Sequence, residues 1–152
     1  MLLIIEDFFT GYKLRIAISK KICYNAFERM YMQKRSCGFC LQFLWKGLVT
    51  NVENIKKNFG FGCMRLPMNG SEVDTEETCR MVDAFLEAGF NYFDTAHGYI
   101  QGKSELALKE CLTGRYPRDR YILTDKLTDF YFKKEEDIRP FFESQLQACG
   151  VD

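Results

Sequence analysis

From residue 58 onward the chain switches between two hydrophobic periods. Phe59-Gly-Phe-Gly-Cys-Met-Arg-Leu66 is a short apolar run with two glycines, ended by Pro67. It predicts a strand whose backbone passes close to a neighbour, and residues 67–73 predict a loop. Asp74 then supplies an N-cap, with Glu77 three positions on in a capping-box arrangement. Met81, Val82, Phe85 and Leu86 recur at helical spacing and predict one buried stripe, and Gly89 stops that helix. Tyr92-Phe-Asp-Thr-Ala96 reads as the next strand. The pattern repeats: Ser104 caps a helix carrying Leu108, Cys111 and Leu112, and Gly114 ends it. A turn at 116–120 leads to a third strand, Tyr121 to Leu127. Ile138, Phe141, Phe142, Gln145, Leu146 and Cys149 mark a third helix, stopped by Gly150. Pro140 suits only a first turn, so this helix is expected to start near Asp137. Val151-Asp152 reads as the opening of a fourth strand.

Strand and helix alternating with links this short imply right-handed parallel crossovers in an α/β fold. An open doubly wound sheet and a (β/α)8 barrel both fit. No G-x-G-x-x-G opens the first helix, which argues against the dinucleotide-binding form of the former. A barrel takes about 250 residues, so residues 58–152 correspond to three of its eight units. Three strands alone leave two open edges and a half-covered apolar face, which predicts marginal stability and self-association through those edges.

The first 57 residues differ in kind. They hold ten Lys and Arg against four Asp and Glu, a net of +6, whereas 58–152 carry −6, so a boundary is expected near Asn58. Ile4-Ile5, Phe8-Phe9, Tyr12 and the run Leu14 to Ile18 fit a strand or short helix, and Ala26 to Met32 another helix, without clear caps. Cys37-Gly-Phe-Cys40 lacks the second pair that zinc needs and the strand–helix setting of a redox motif. The extension therefore reads as a segment of uncertain structure, and a basic, Cys-containing binding module is the other reading. With a net charge of zero, nothing global attracts nucleic acid. The apolar start is cut by Glu6 and Asp7, unlike an export signal, and no run nears the roughly 18 apolar residues of a membrane span. Seven scattered Cys without such a signal fit a reducing cytoplasm.

Against this frame three residues stand out. Asp94 and Lys126 lie near the C-terminal ends of predicted strands, and Tyr99 lies in the loop after the first of them. Those strand ends share the rim on which α/β proteins bind ligands. A phenol with a pKa near 10 is a weak acid toward a carbonyl oxygen at neutral pH. A neighbouring ammonium favours the phenolate, and a carboxylate keeps that ammonium charged and in place. The trio thus suits a general acid with its tuning pair; on spacing alone a structural ion pair beside an ordinary loop tyrosine is the commoner arrangement. His97, the single histidine, falls near the same rim as a pocket or surface residue. No carboxylate or histidine cluster suggests a metal.

The segments F-G-F-G-C-M-R-L-P, F-D-T-A-H-G-Y, G-K-S-E, R-Y-P-R-D and T-D-K-L together resemble the aldo/keto reductases, from Phe59 to Asp152 without a gap. The nearest branch is the bacterial one that begins G-x-G-x-M-R-L-P and often carries an iron–sulfur segment near its C-terminus. The resemblance implies a (β/α)8 barrel, NADP(H), and hydride transfer to a small aldehyde or ketone. It implies Tyr99 as general acid, Lys126 as the lysine that tunes it, and Asp94 as that lysine's partner. It places Gly62, Met64, Arg65 and Asp94 beside the nicotinamide and ribose, and His97 in the substrate pocket. The family's histidine at the end of strand four and most adenine contacts have no counterpart, and any iron–sulfur cluster would belong to a part beyond Asp152. The expectation is therefore the N-terminal part of a reductase. The alternative is an inactive remnant, or a small interaction protein that uses exposed sheet edges.

Overall fold

The computed structural model describes residues 54–152 together with the backbone of two strands in the extension. Those are β1 (Leu2–Glu6) and β2 (Lys13–Ala17). The helix expected at 26–32 and the Cys37/Cys40 pair lie outside the described residues. Next come β3 (Gly60–Gly62), a short hairpin of β4 (Met68–Asn69) and β5 (Glu72–Val73), and helix α1 (Thr75–Glu87). The chain continues through β6 (Tyr92–Asp94), α2 (Lys103–Leu108), β7 (Ile122–Thr128) and α3 (Glu135–Cys149).

The main sheet has the order β2-β1-β7-β6-β3. β3, β6 and β7 are parallel, with Gly60 opposite Tyr92 and Tyr92 opposite Ile122. This is a run of three β/α units, as a (β/α)8 barrel would contain, and it does not close on itself. One expectation is corrected. The edge of β7 is not open: β1 lies parallel along it, from Leu2 opposite Thr124 to Glu6 opposite Thr128, and β2 runs antiparallel outside β1. The outermost strands of the sheet are therefore β2 and β3.

The core lies between this sheet and the helices. Val82, Phe85 and Leu86 of α1, Phe93 of β6, Leu108 of α2 and Leu123 of β7 are all buried. Each such side chain contributes about 1.5–3 kcal/mol relative to exposure. Phe85 meets Phe93 edge-on at 5.1 Å and stacks on Phe90 at 4.9 Å. Met81, expected in this stripe, is 38 % exposed and lies off it. Gly60 explains the close approach expected of the first strand, since a Cβ there would sit 2.6 Å from the Tyr92 ring.

The caps are partly as expected. Asp74 accepts from the Glu77 N–H at 2.9 Å, but the Glu77 side chain pairs with Arg80 instead of returning to Asp74. The expected 67–73 loop contains the β4–β5 hairpin, with Gly70 at φ +64° in its turn. Ser104 does not cap α2. That helix starts one residue earlier, after Gly102 at φ +84°, and the Ser104 hydroxyl turns inward to the Cys63 carbonyl at 2.9 Å. A π-helical turn, Lys109–Thr113, then carries the helix to Gly114. α3 begins at Glu135, two residues before the expected start, so Pro140 is its sixth residue. The carbonyl that Pro140 cannot bond belongs to exposed Glu136, where water can serve it. Among the described residues no helix is long and apolar enough to cross a membrane.

Candidate active site

Parallel pairing in register brings Asp94 and Lys126 together. Asp94 ends β6 and faces Thr124 on β7, so Lys126, two residues on, projects from the same face nearer the rim. Its Nζ donates to Asp94 Oδ1 at 2.6 Å and to the Thr95 carbonyl at 3.0 Å. The two side chains are 14 % and 28 % exposed. Nζ also lies 4.6 Å from the centre of the Tyr99 ring. Burial works against charge on Lys126, but the Asp94 carboxylate and the Tyr99 side chain outweigh it and hold the ammonium above the ordinary lysine value. Carboxylate, ammonium and phenol, separated by 32 positions in sequence, thus form one contiguous group.

The backbone around Tyr99 is unusual. Its N–H closes a turn onto the Ala96 carbonyl at 2.9 Å. Ile100 and Gln101 then take φ of +51° and +58°, followed by Gly102. Left-handed conformation costs a non-glycine residue about 1–3 kcal/mol, most for a β-branched one such as Ile100. This run turns the chain from the rim directly into α2.

α2 in turn holds the rim loop from beneath. Ser104 Oγ and Thr95 Oγ1 lie 2.8 Å apart. Because Ser104 donates to Cys63, Thr95 is the donor of that pair. His97 Nδ1 lies 3.0 Å from Oε2 of the buried Glu105. The imidazole meets Tyr131 and Phe141 edge-on at 4.9 and 5.1 Å. A Cβ on Gly98 would stand 2.5 Å from the Tyr131 hydroxyl, so the glycine is what lets the loop after β7 close onto this one. Phe130, 72 % exposed, stands beside Tyr131.

Gly62, Met64 and Arg65 follow β3 on the other side of Asp94. Gly62 is paired opposite Asp94, and a Cβ on it would touch nothing within 4 Å. Met64 is 57 % exposed, Arg65 is exposed, and Cys63, between Gly62 and Met64, is buried as an anchor. These residues form an open shelf next to the Asp94–Lys126 pair.

Beneath the rim lies a group that residue types and spacing did not single out. Glu105, Asp125 and Cys149 are buried and bring one donor or acceptor atom each within 4.8 Å of one another. Asp125 accepts from the Lys126 N–H at 2.7 Å and from the Cys149 thiol at 3.7 Å. Gln145 donates to the Lys126 carbonyl at 3.0 Å and reaches Glu105 Oε1 at 3.5 Å. Burial raises the pKa of both carboxyls, Asp125 more strongly because Glu105 lies beside it. One signal was available: Glu105 shares the helix stripe of Leu108 and Leu112, where a charge must be buried.

Comparison with known proteins covers the same stretch. The chain is 36 % identical over 63 residues to a Saccharomyces cerevisiae protein named probable aryl-alcohol dehydrogenase AAD4, covering 41 % of this chain and 19 % of that one. It is 35 % identical over 66 residues to norsolorinic acid reductase B of Dothistroma septosporum, covering 43 % and 17 %. Among solved structures, the holo form of aldo-keto reductase AKR11C1 from Bacillus halodurans aligns at 33 % identity and a TM-score of 0.49, over 62 % of this chain and 32 % of that one. The chain thus spans less than a third of the length of each of these proteins. Residues 58–152 match the aldo/keto reductase family, and the chain belongs to it.

Proposed function

We propose that residues 58–152 supply the acid–base half of an NADPH-dependent reductase of aryl aldehydes or ketones, working in the cytoplasm. The observation that carries this reading is the Lys126 ammonium, hydrogen-bonded to Asp94 and seated 4.6 Å from the centre of the Tyr99 ring at the strand ends. The shelf formed by Gly62, Met64 and Arg65 has the open backbone that a flat nicotinamide needs beside Asp94. Bound NADPH would supply a hydride to the carbonyl carbon and leave as NADP+. Tyr99 gives its proton to the carbonyl oxygen, which completes the alcohol. Lys126 stabilises the phenolate left behind until solvent returns the proton, and Asp94 keeps Lys126 charged and aimed. His97, Phe130 and Tyr131 furnish an aromatic wall beside Tyr99. That wall, with the aryl-alcohol name of one relative, supports an aryl substrate. The buried free thiols Cys63, Cys111 and Cys149 support a reducing compartment.

The test is NADPH oxidation with benzaldehyde by the protein that carries this sequence, compared with its Tyr99→Phe variant. Loss of general-acid help lowers kcat/KM by about 10²- to 10⁴-fold. A variant within a few-fold of the parent would overturn the assignment of Tyr99.

A further inference from the structure

Glu105 is 1 % exposed, yet the acid–base group described above does not include it. It sits one layer beneath His97, whose ring is about a third exposed. Two arrangements satisfy the 3.0 Å contact between them. Either an ionised Glu105 accepts from Nδ1–H, or a protonated Glu105 donates to a bare Nδ1. The first leaves Nε2 as an acceptor and the second leaves it as a donor.

The donors and acceptors around the buried pair decide between them. The titratable groups packed here are Glu105 on α2, Asp125 on β7, Cys149 on α3 and His97 on the rim loop. Two carboxyls this close in a dry site share one proton, because both cannot be charged. Asp125 is completely buried, and the carboxylate of Glu105 beside it further disfavours its charge. Asp125 therefore keeps the proton and turns it toward Glu105; burial is the largest influence on Glu105 and raises it, and the Asp125 hydrogen bond offsets part of that rise. Gln145 Nε2 points a second donor at Glu105 Oε1. With two donors already aimed at it, Glu105 is the acceptor of the contact with His97, and Nδ1 carries the hydrogen. Nδ1 faces the buried carboxylate, so the exposed edge of the ring is the one that bears Nε2. Among the described residues, Nε2 makes no hydrogen bond.

We propose that Glu105 is a positioning residue that holds His97 as its Nδ1–H tautomer, so that Nε2 stands two residues from Tyr99 as a hydrogen-bond acceptor for a hydroxyl borne by an aryl carbonyl ligand. This rests on the reading of the rim as a carbonyl site. It adds a chemical preference: ligands that carry an O–H beside the reacting group fit the rim better than their methyl ethers.

His97 is the single histidine in the chain, so one pair of imidazole nitrogen signals reports on it without assignment ambiguity. The experiment is nitrogen-15 NMR of the full 152-residue protein, labelled at histidine, at a pH where the ring is neutral. The expected spectrum shows a proton-bearing Nδ1 and a pyridine-like Nε2. Glu105→Leu should move the balance to Nε2–H. The proposal is overturned by an Nε2–H tautomer in the parent, which needs no variant to fold, or by a folded Glu105→Leu protein that keeps Nδ1–H. The ligand preference is read with phenol and anisole as probes. Phenol should move the Nε2 signal upfield and anisole should not, and equal responses or none would remove that preference. These readings do not depend on hydride transfer. A Tyr99→Phe variant of unchanged activity would sink the proposed reaction while leaving the tautomer result standing, and the converse also holds.

Discussion

The Asp94–Lys126 pair makes a quantitative demand that a double-mutant cycle can check. Exposed ion pairs are worth about 0–1 kcal/mol, whereas breaking a fully buried one costs about 3–5 kcal/mol. With side chains 14 % and 28 % exposed, this pair falls between those limits. Asp94→Asn leaves the ammonium with the Thr95 carbonyl and the face of the Tyr99 ring, so a loss of about 2 kcal/mol is expected. For a domain of this size the urea dependence is about 1 kcal/mol per molar, and the unfolding midpoint should fall by about 2 M. Lys126→Met should cost a similar amount, because it strands a half-buried carboxylate. The double variant should lose less than the two single losses added together, with a coupling of about 1–2 kcal/mol. The pH dependence carries a sign. Lys126 has a raised pKa in the folded protein, so its contribution is complete below the unfolded lysine value of 10.5 and fades as pH rises through the higher folded value. The coupling should therefore be flat from pH 7 to 9 and decline only above about 10.5. A coupling below about 0.3 kcal/mol, within the error of additive sites, or one already gone at pH 9, would refute the reasoning.

Other expectations follow from the same contacts. Asp125→Asn should be neutral or stabilising at pH 7 by up to about 1 kcal/mol, because the amide can donate to Glu105 and accept from the Lys126 N–H as the protonated acid does. The unfolded chain gives up this proton near 3.8 and the folded one holds it to higher pH, so the parent's stability from this group falls as pH rises between those values, and urea midpoints from pH 4 to 7 should fall more steeply in the parent than in the variant, which keeps only the contribution of Glu105. Gly150→Ala should lower the melting temperature by about 4–8 °C per kcal/mol lost, since φ is +67° and the new Cβ would lie 2.8 Å from Lys109 Cγ; an unchanged melt would show that this end of α3 yields freely. Burial pushes the Cys63 thiol up to about 12 and the Cys111 and Cys149 thiols higher still, so at pH 8 iodoacetamide should spare all three in the native protein and label them after unfolding, as read by peptide mass.

Much of the fold was legible because each unit states itself locally. The stripe of Val82, Phe85 and Leu86, the Asp74 cap and the stops at Gly89 and Gly150 are short-range signals, and all of them appear in the structure. Errors came where tertiary contacts outrank local preference. Ser104 has the chemistry of a cap, but the left-handed run at 100–102 delivers it facing the sheet, where Cys63 and Thr95 need it more. Pro140 reads as a boundary, yet an exposed helix face tolerates one carbonyl given over to water. The Asp94, Tyr99 and Lys126 grouping could be inferred because strand ends converge in parallel sheets. The Glu105–Asp125 pair was hidden, because a single acid in a sequence is usually solvated, and packing against α3 helps bury these two.

The strand pairings also differ in how much chain they must wait for. β3 meets β6, and β6 meets β7, across intervals of about thirty residues, so these units can accrete one after another as the polypeptide emerges. The β1–β7 pairing joins Leu2 to Thr124 and closes a loop of more than a hundred residues. Loop-closure entropy grows only slowly with length, so the cost at equilibrium is modest, but long-range pairings are slow to form. Of the pairings in the main sheet, that of β1 with β7 is thus the slowest to form. Until β7 is made, Leu-Leu-Ile-Ile-Glu can pair on one side only, with β2, and this is the interval in which a chaperone or a neighbouring nascent chain competes for its other edge.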